Sequence, residues 1–82
     1  MLERLITEDK TVGLRTAVRL IENDQALFAF IAEDADVFIT RRVQELCQSH
    51  GVEYTRVSSM KQLGEACGVQ VPTACAAIKK HA

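Results

Sequence analysis

Residues 6–23, ITEDKTVGLRTAVRLIEN, decide the fold, because they join a short β-prone segment through Gly13 to an amphipathic helix. Leu14, Ala17, Val18 and Ile21 recur at i, i+3, i+4 and i+7, the spacing of one buried helix stripe. Arg15, Thr16 and Arg19 therefore point away from the core. Two like charges four residues apart cost an isolated helix about 0.2–0.5 kcal/mol unless something anionic lies against them. A phosphate backbone removes that cost, and the free N–H groups at a helix start attract the same anions. Glycine at position 13 lets another backbone approach closely. The plain alternative is a solvated face on which Glu22 pairs with Arg19.

Upstream, LERLITED reads as a short helix with Leu2, Leu5 and Ile6 on one side, and Lys10–Val12 as a short strand. Downstream, Asn23 and Asp24 are a turn-favouring pair that ends the helix. LFAFIA, residues 27–32, is a central strand buried on both faces. In EDAD, residues 33–36, an acidic cap hands over to a helix at 36–50, with Ile39, Val43, Leu46 and Cys47 inward and Gly51 closing it. VEYTRV is the next strand. Ser59 and Gln62 form a capping box for a helix in which Met60, Leu63 and Cys67 face inward and which Gly68 ends. TACAAIKK is a last strand whose small side chains admit a helix packed close over it. Alternation of this kind predicts an α/β fold, a three-layer α/β/α sandwich around a four-stranded mixed sheet, with residues 1–82 as a single domain.

Composition narrows the function classes. The hydrophobic share is 48% and the charged share 26%, ordinary for a globular chain, and the net charge is −1. Such a balance excludes a strong nonspecific polyanion binder, so any nucleic acid must meet a local patch. Residues 1–36 carry four basic and eight acidic side chains, residues 37–82 six basic and three acidic. Lys79, Lys80 and His81 read either as part of a basic end or as a solvated tail. The longest apolar run, ALFAFIA at 26–32, is too short to span a bilayer and is placed unlike a signal peptide, so no membrane association and a cytoplasmic residence are expected.

Catalytic and metal patterns are weak. Cys47, Cys67 and Cys75 contain no CxxC pair, and Cys47 with His50 is only half of a zinc pattern. Cys47 and Cys67 sit on apolar helix stripes, where inert thiols belong. Glu33, Asp34 and Asp36 are explained by helix capping rather than by a metal. No phosphate-cradling glycine loop is present, and no cofactor is expected. More informative is VQVPT, residues 69–73, a connection that should be exposed and yet carries two valines and a proline. An apolar loop stiffened by Pro72 is a surface on which a base or ribose packs, with Gln70 free to hydrogen-bond, unless the loop folds back on the core.

The run FIAEDADVFITRRVQELCQSHGVEYTRVSSMKQLGEACGVQVPTACAAI, together with VGLRTAVRLIEN, resembles the L-seven-Ae family of ribosomal and ribonucleoprotein RNA-binding proteins, particularly its small bacterial YbxF-type members. The likeness extends over residues 4–79. It implies a non-enzymatic protein that binds kink-turn RNA, a sharply bent internal loop with tandem sheared G·A pairs, and it implies a monomer. By the same resemblance, Gly13, Arg15, Thr16 and Arg19 at the helix start meet the G·A pairs. Val69, Gln70, Val71, Pro72 and Thr73 pack against a nucleotide splayed from the bend, and Lys61 assists at the backbone. The sequence departs from the family at Arg15, Thr16 and Arg19, where archaeal members carry asparagine, glutamate and lysine, and at Gln70, where they carry an acid. Val37 replaces a common proline, and Pro72 a small residue. Ribosomal or ribosome-associated RNA is the implied partner. The competing expectation is a protein–protein adaptor that keeps the fold and binds through the acids at 33–36 or through the apolar loop.

Overall fold

The computed structural model describes residues 4–80. Its elements follow the expected alternation: α1 (Arg4–Thr7), β1 (Lys10–Val12), α2 (Leu14–Glu22), β2 (Ala26–Ala32), α3 (Val37–His50), β3 (Glu53–Val57), α4 (Met60–Ala66) and β4 (Cys75–Lys79). The four strands form one sheet in the order β1-β4-β2-β3. β4 lies antiparallel to both β1 and β2, and β2 runs parallel to β3, so the sheet is mixed.

Helices cover both faces, which is why β2 is buried almost throughout. On one face Ala17, Val18 and Ile21 of α2 and Val43 and Cys47 of α3 pack with Ala29, Ile31, Cys75 and Ala77 of the sheet. On the other, Leu5, Leu63 and Cys67 pack with Phe28, Phe30, Ala32, Ala76 and Ile78. Ala29 pairs with Ala77 across β2 and β4, and both lie in the same cluster as Ala17. These small side chains let α2 sit close over the two middle strands, as expected. A register shift between Ala26 and Phe28 turns Leu27 outward, the geometry of a β-bulge.

Some expectations are corrected. Ile6 is 73% exposed and does not share a side with Leu5, because a helix as short as α1 offers no continuous face; Leu2 lies outside the described residues. In α3 the inward position is taken by Thr40, whose hydroxyl donates to Val37 O at 3.0 Å, whereas Ile39 and Leu46 are only half-buried. The capping box is half formed: Ser59 accepts from the Gln62 amide at 3.0 Å, but the Gln62 side chain accepts from Ser58 instead of returning to Ser59. Lys79 and Lys80 are exposed, as a solvated end requires, but their backbone is tied down, and His81 lies outside the described residues. The two lysine amides donate to Asp9 O at 2.9 Å and Gln25 O at 2.8 Å.

Candidate nucleic-acid interface

The strand directions bring the ends of β1, β2 and β3 and the start of β4 to one pole of the sheet. Four connections emerge there: Gly13 into α2, residues 33–36 into α3, residues 58–59 into α4, and residues 67–74 into β4. The Gly13 amide donates to Cys75 O at 2.9 Å, which sets the first turn of α2 beside the end of the 69–73 loop.

Gly13 has φ 101° and ψ 160°, a conformation open essentially to glycine alone. Among the described residues nothing beyond its two chain neighbours lies within 4 Å of where its Cβ would be, so the requirement is one of backbone torsion and not the close packing of another chain segment. This conformation swings the chain directly from strand into helix. Among the described residues no side chain caps α2, which leaves the amides of its first turn without a partner from a capping residue. The Thr16 hydroxyl donates back to Val12 O at 3.0 Å, with Gly13 O at 3.3 Å, so it braces the turn while facing solvent. Arg15 and Arg19 are exposed, and neither forms an ion pair with another described residue. The Arg19–Glu22 pair of the solvated-face alternative is absent among the described residues. Arg15 and Thr16 stand at the pole; Arg19 lies one turn further along α2.

The 69–73 loop is anchored at both ends. The Val69 amide donates to Gly64 O at 3.0 Å and the Thr73 amide to Met60 O at 3.0 Å. Between them Gln70, Val71 and Pro72 are exposed, Val71 to 65%. With Lys61, Glu65 and Val69 they line a shallow recess of about 170 Å³. Thr73, expected on the contact surface, is turned inward instead: it is only 3% exposed and its hydroxyl points to Val71 O at 3.4 Å. The loop neither collapses onto the core nor stands free of it, since one face is tied to α4 and the other is open.

Two residues that shape this surface escaped the sequence reading. The Asp34 carboxylate accepts from the Met60 amide at 2.7 Å and so caps α4, a helix that begins 26 positions later, while Asp36 caps its own helix through the Phe38 amide at 2.8 Å. No local spacing reveals the Asp34 contact. Gly64 is the place of close backbone approach: a Cβ there would collide with the Val71 carbonyl oxygen. The signal was available, because a glycine inside a helix costs about 1 kcal/mol relative to alanine and usually has a packing reason.

The cysteines are free and buried, and burial pushes the Cys47 thiol up to about 11 and Cys75 to about 12. Cys67 is also raised by burial, with Lys10 pulling partly the other way. Such thiols remain protonated at neutral pH and are poor nucleophiles. Among the described residues no group of three or more His, Cys, Asp and Glu could hold a metal ion, and no helix is long and apolar enough to cross a membrane.

The model of the ribosomal protein L7Ae/L30e/S12e/Gadd45 family matches residues 4–82. The chain belongs to the L7Ae family. Within it the chain is a YbxF-like member: it is 36% identical over 77 residues to RNA-binding protein YbxF of Geobacillus stearothermophilus, covering 93% of this chain and 94% of that protein. An RNA-binding protein of Geobacillus sp. (strain WCH70) is 42% identical over 77 residues, with the same coverage of 93% and 94%. Among solved structures, the 15.5kD RNA binding protein of Giardia lamblia superposes with a TM-score of 0.84 at 31% identity, covering 98% of this chain and 68% of that one. The two Geobacillus relatives share the sequence pattern, and the Giardia protein shares the fold.

Proposed function

We propose that this chain is a non-enzymatic RNA-binding protein that recognises and stabilises a kink-turn in ribosomal or ribosome-associated RNA, acting as a cytoplasmic monomer. One observation carries the reading: the hydrogen bond from Gly13 to Cys75 O unites an unpaired arginine-bearing helix start with an exposed, proline-stiffened apolar loop. Membership of a family whose compared relatives are named RNA-binding proteins supports it.

In this reading the uncapped first turn of α2 faces phosphate oxygens, which its amides and macrodipole favour. Arg15 presents a planar fork of donors that matches the O6 and N7 acceptors of a guanine, and sheared G·A pairing leaves those guanine edges accessible. Thr16 offers hydroxyl lone pairs alongside. Arg19 and Lys61 contribute charge to the backbone. Val71 and Pro72 offer an apolar shelf for a nucleotide splayed out of the bend, and Gln70 supplies a hydrogen-bonding edge next to it. Val69 and Thr73 act from beneath, holding the loop to α4. Binding the bent conformer better than the extended one shifts the RNA toward the kink by that difference in affinity.

A mobility-shift titration of kink-turn RNA against the same strands lacking the G·A pairs tests the proposal. Strong preference for the intact motif is expected, with a shallow salt dependence because few phosphates are neutralised. Equal, weak binding to both RNAs would refute it and leave a protein adaptor as the better reading.

A further inference from the structure

The outer face of α3 lies outside the surface just described, yet α3 packs beside α2 on the same face of the sheet and starts at the same pole. Thr40, Val43 and Cys47 turn into the core, which leaves Phe38 and Arg42 on the opposite side of the helix. Phe38 is 75% exposed, and Arg41 and Arg42 follow it at i+3 and i+4, the positions that adjoin it on a helix surface. Neither arginine forms an ion pair with another described residue. On the flank toward β3, Arg56 Nη2 donates to Gln44 Oε1 at 2.9 Å, and Arg41, Gln44 and Arg56 line one shallow recess. Glu45 is the one acid in that recess.

A single exposed apolar residue needs no explanation. This one differs in being aromatic and flanked by unpaired guanidinium groups. Among the described residues of α3, Val37, 59% exposed, is the one other exposed large apolar side chain, so this helix face offers a protein partner little apolar area. A ring with arginines one turn away matches nucleic acid in a single strand, where a base stacks on the ring and the phosphates on either side meet the cations.

We propose that the outer face of α3 is a second RNA-contact surface, on which Phe38 stacks an unpaired base while Arg41, Arg42 and Arg56 hold the phosphates of a single-stranded segment leaving the kink-turn. It rests on the kink-turn reading for where that segment comes from. Arg41 and Arg42 supply separate positive charges along the helix, and Arg56 extends them to the sheet edge.

Fluorescence anisotropy with labelled kink-turn RNA, blunt or carrying a short single-stranded extension, tests the inference, with the extension alone as a third probe. The extension is expected to tighten binding by the parent about tenfold, a gain in the range of one base stacked on an aromatic ring. Phe38→Ala should lose that gain and leave the blunt RNA affinity unchanged. Arg41→Ala with Arg42→Ala should also lower the salt slope for the extended RNA by about 1.4, two phosphates on a single strand. Thermal melts followed by circular dichroism check that these exposed substitutions leave the fold intact. No gain from the extension, or a gain that Phe38→Ala retains, overturns the inference and leaves the patch to a protein partner. A parent that ignores the kink-turn yet binds the extension alone in a Phe38-dependent way removes the kink-turn reading and keeps this surface. Binding to none of the RNAs removes both.

Discussion

Gly13 and Arg15 are two positions apart and are expected to fail in different ways when replaced. At φ 101° and ψ 160° an L side chain is strained wherever its Cβ points, so Gly13→Ala should cost about 1–3 kcal/mol, read as a lower urea midpoint. Its effect on RNA would follow from a tilted α2 start and a weakened bond to Cys75. The Arg15→Ala, Arg19→Ala pair removes side chains that touch little of the protein, so stability should stay within about 0.5 kcal/mol of the parent. Kink-turn affinity should fall by at least about 100-fold, the loss of one bidentate base contact and one phosphate contact, measured by mobility shift. A double variant that bound as tightly as the parent would end the assignment of these arginines to the interface.

At the level of elements, α4 and its following loop work as one part, because Asp34 fixes the helix start, Gly64 fixes the loop against its middle, and the Thr73 amide returns to Met60 O. Asp34→Ala is expected to cost about 1 kcal/mol by leaving the Met60 amide without its acceptor while Ser59 keeps the Gln62 amide, with a further loss of RNA affinity because Lys61 sits in the loosened first turn. Gly64→Ala puts a methyl group on the Val71 carbonyl, so the loop must move; about 1–3 kcal/mol of stability and most of the specific binding should go together. Thermal melts and titration of the same samples separate the two effects. These elements also mark how much the sequence could disclose. The stripe Leu14, Ala17, Val18, Ile21 was legible because one helix period places all four, and burial of β2 on both faces follows from its continuous apolar run. The two segments of the candidate site stand out in the sequence as well, one by its arginines and the other by its stiff apolar loop, and the fold puts them at one pole of the sheet. Thr40 is not singled out by apolar periodicity, because a threonine that satisfies its hydroxyl on the preceding turn becomes as buriable as a valine. The bond from Asp34 to α4 and the inward turn of Thr73 are not legible, because the Met60 partner of each is distant in sequence, where periodicity carries no information.

Across the whole molecule, the buried thiols make stability depend on alkaline pH. Cys47 and Cys75 have folded-state values raised from 9.0 to about 11 and about 12, so the folded chain keeps protons that the unfolded chain releases. Their contribution is full below about pH 9 and is lost progressively as pH rises toward 11–12. Urea midpoints should therefore drop over that interval, and the drop should be smaller in Cys47→Ala, although this variant starts from a lower midpoint because of the cavity it leaves. The position of β4 has a different kind of consequence. The last of the described strands in chain order is inserted between β1 and β2, and it supplies the carbonyl that receives the Gly13 amide. During synthesis the sheet consequently has a vacant central slot until residues 75–79 have emerged, and the helix start and the loop are not yet held side by side. A nascent chain or one terminated before β4 would thus carry the arginines without the proposed surface, so on the kink-turn proposal recognition is acquired only once β4 has been added to the sheet.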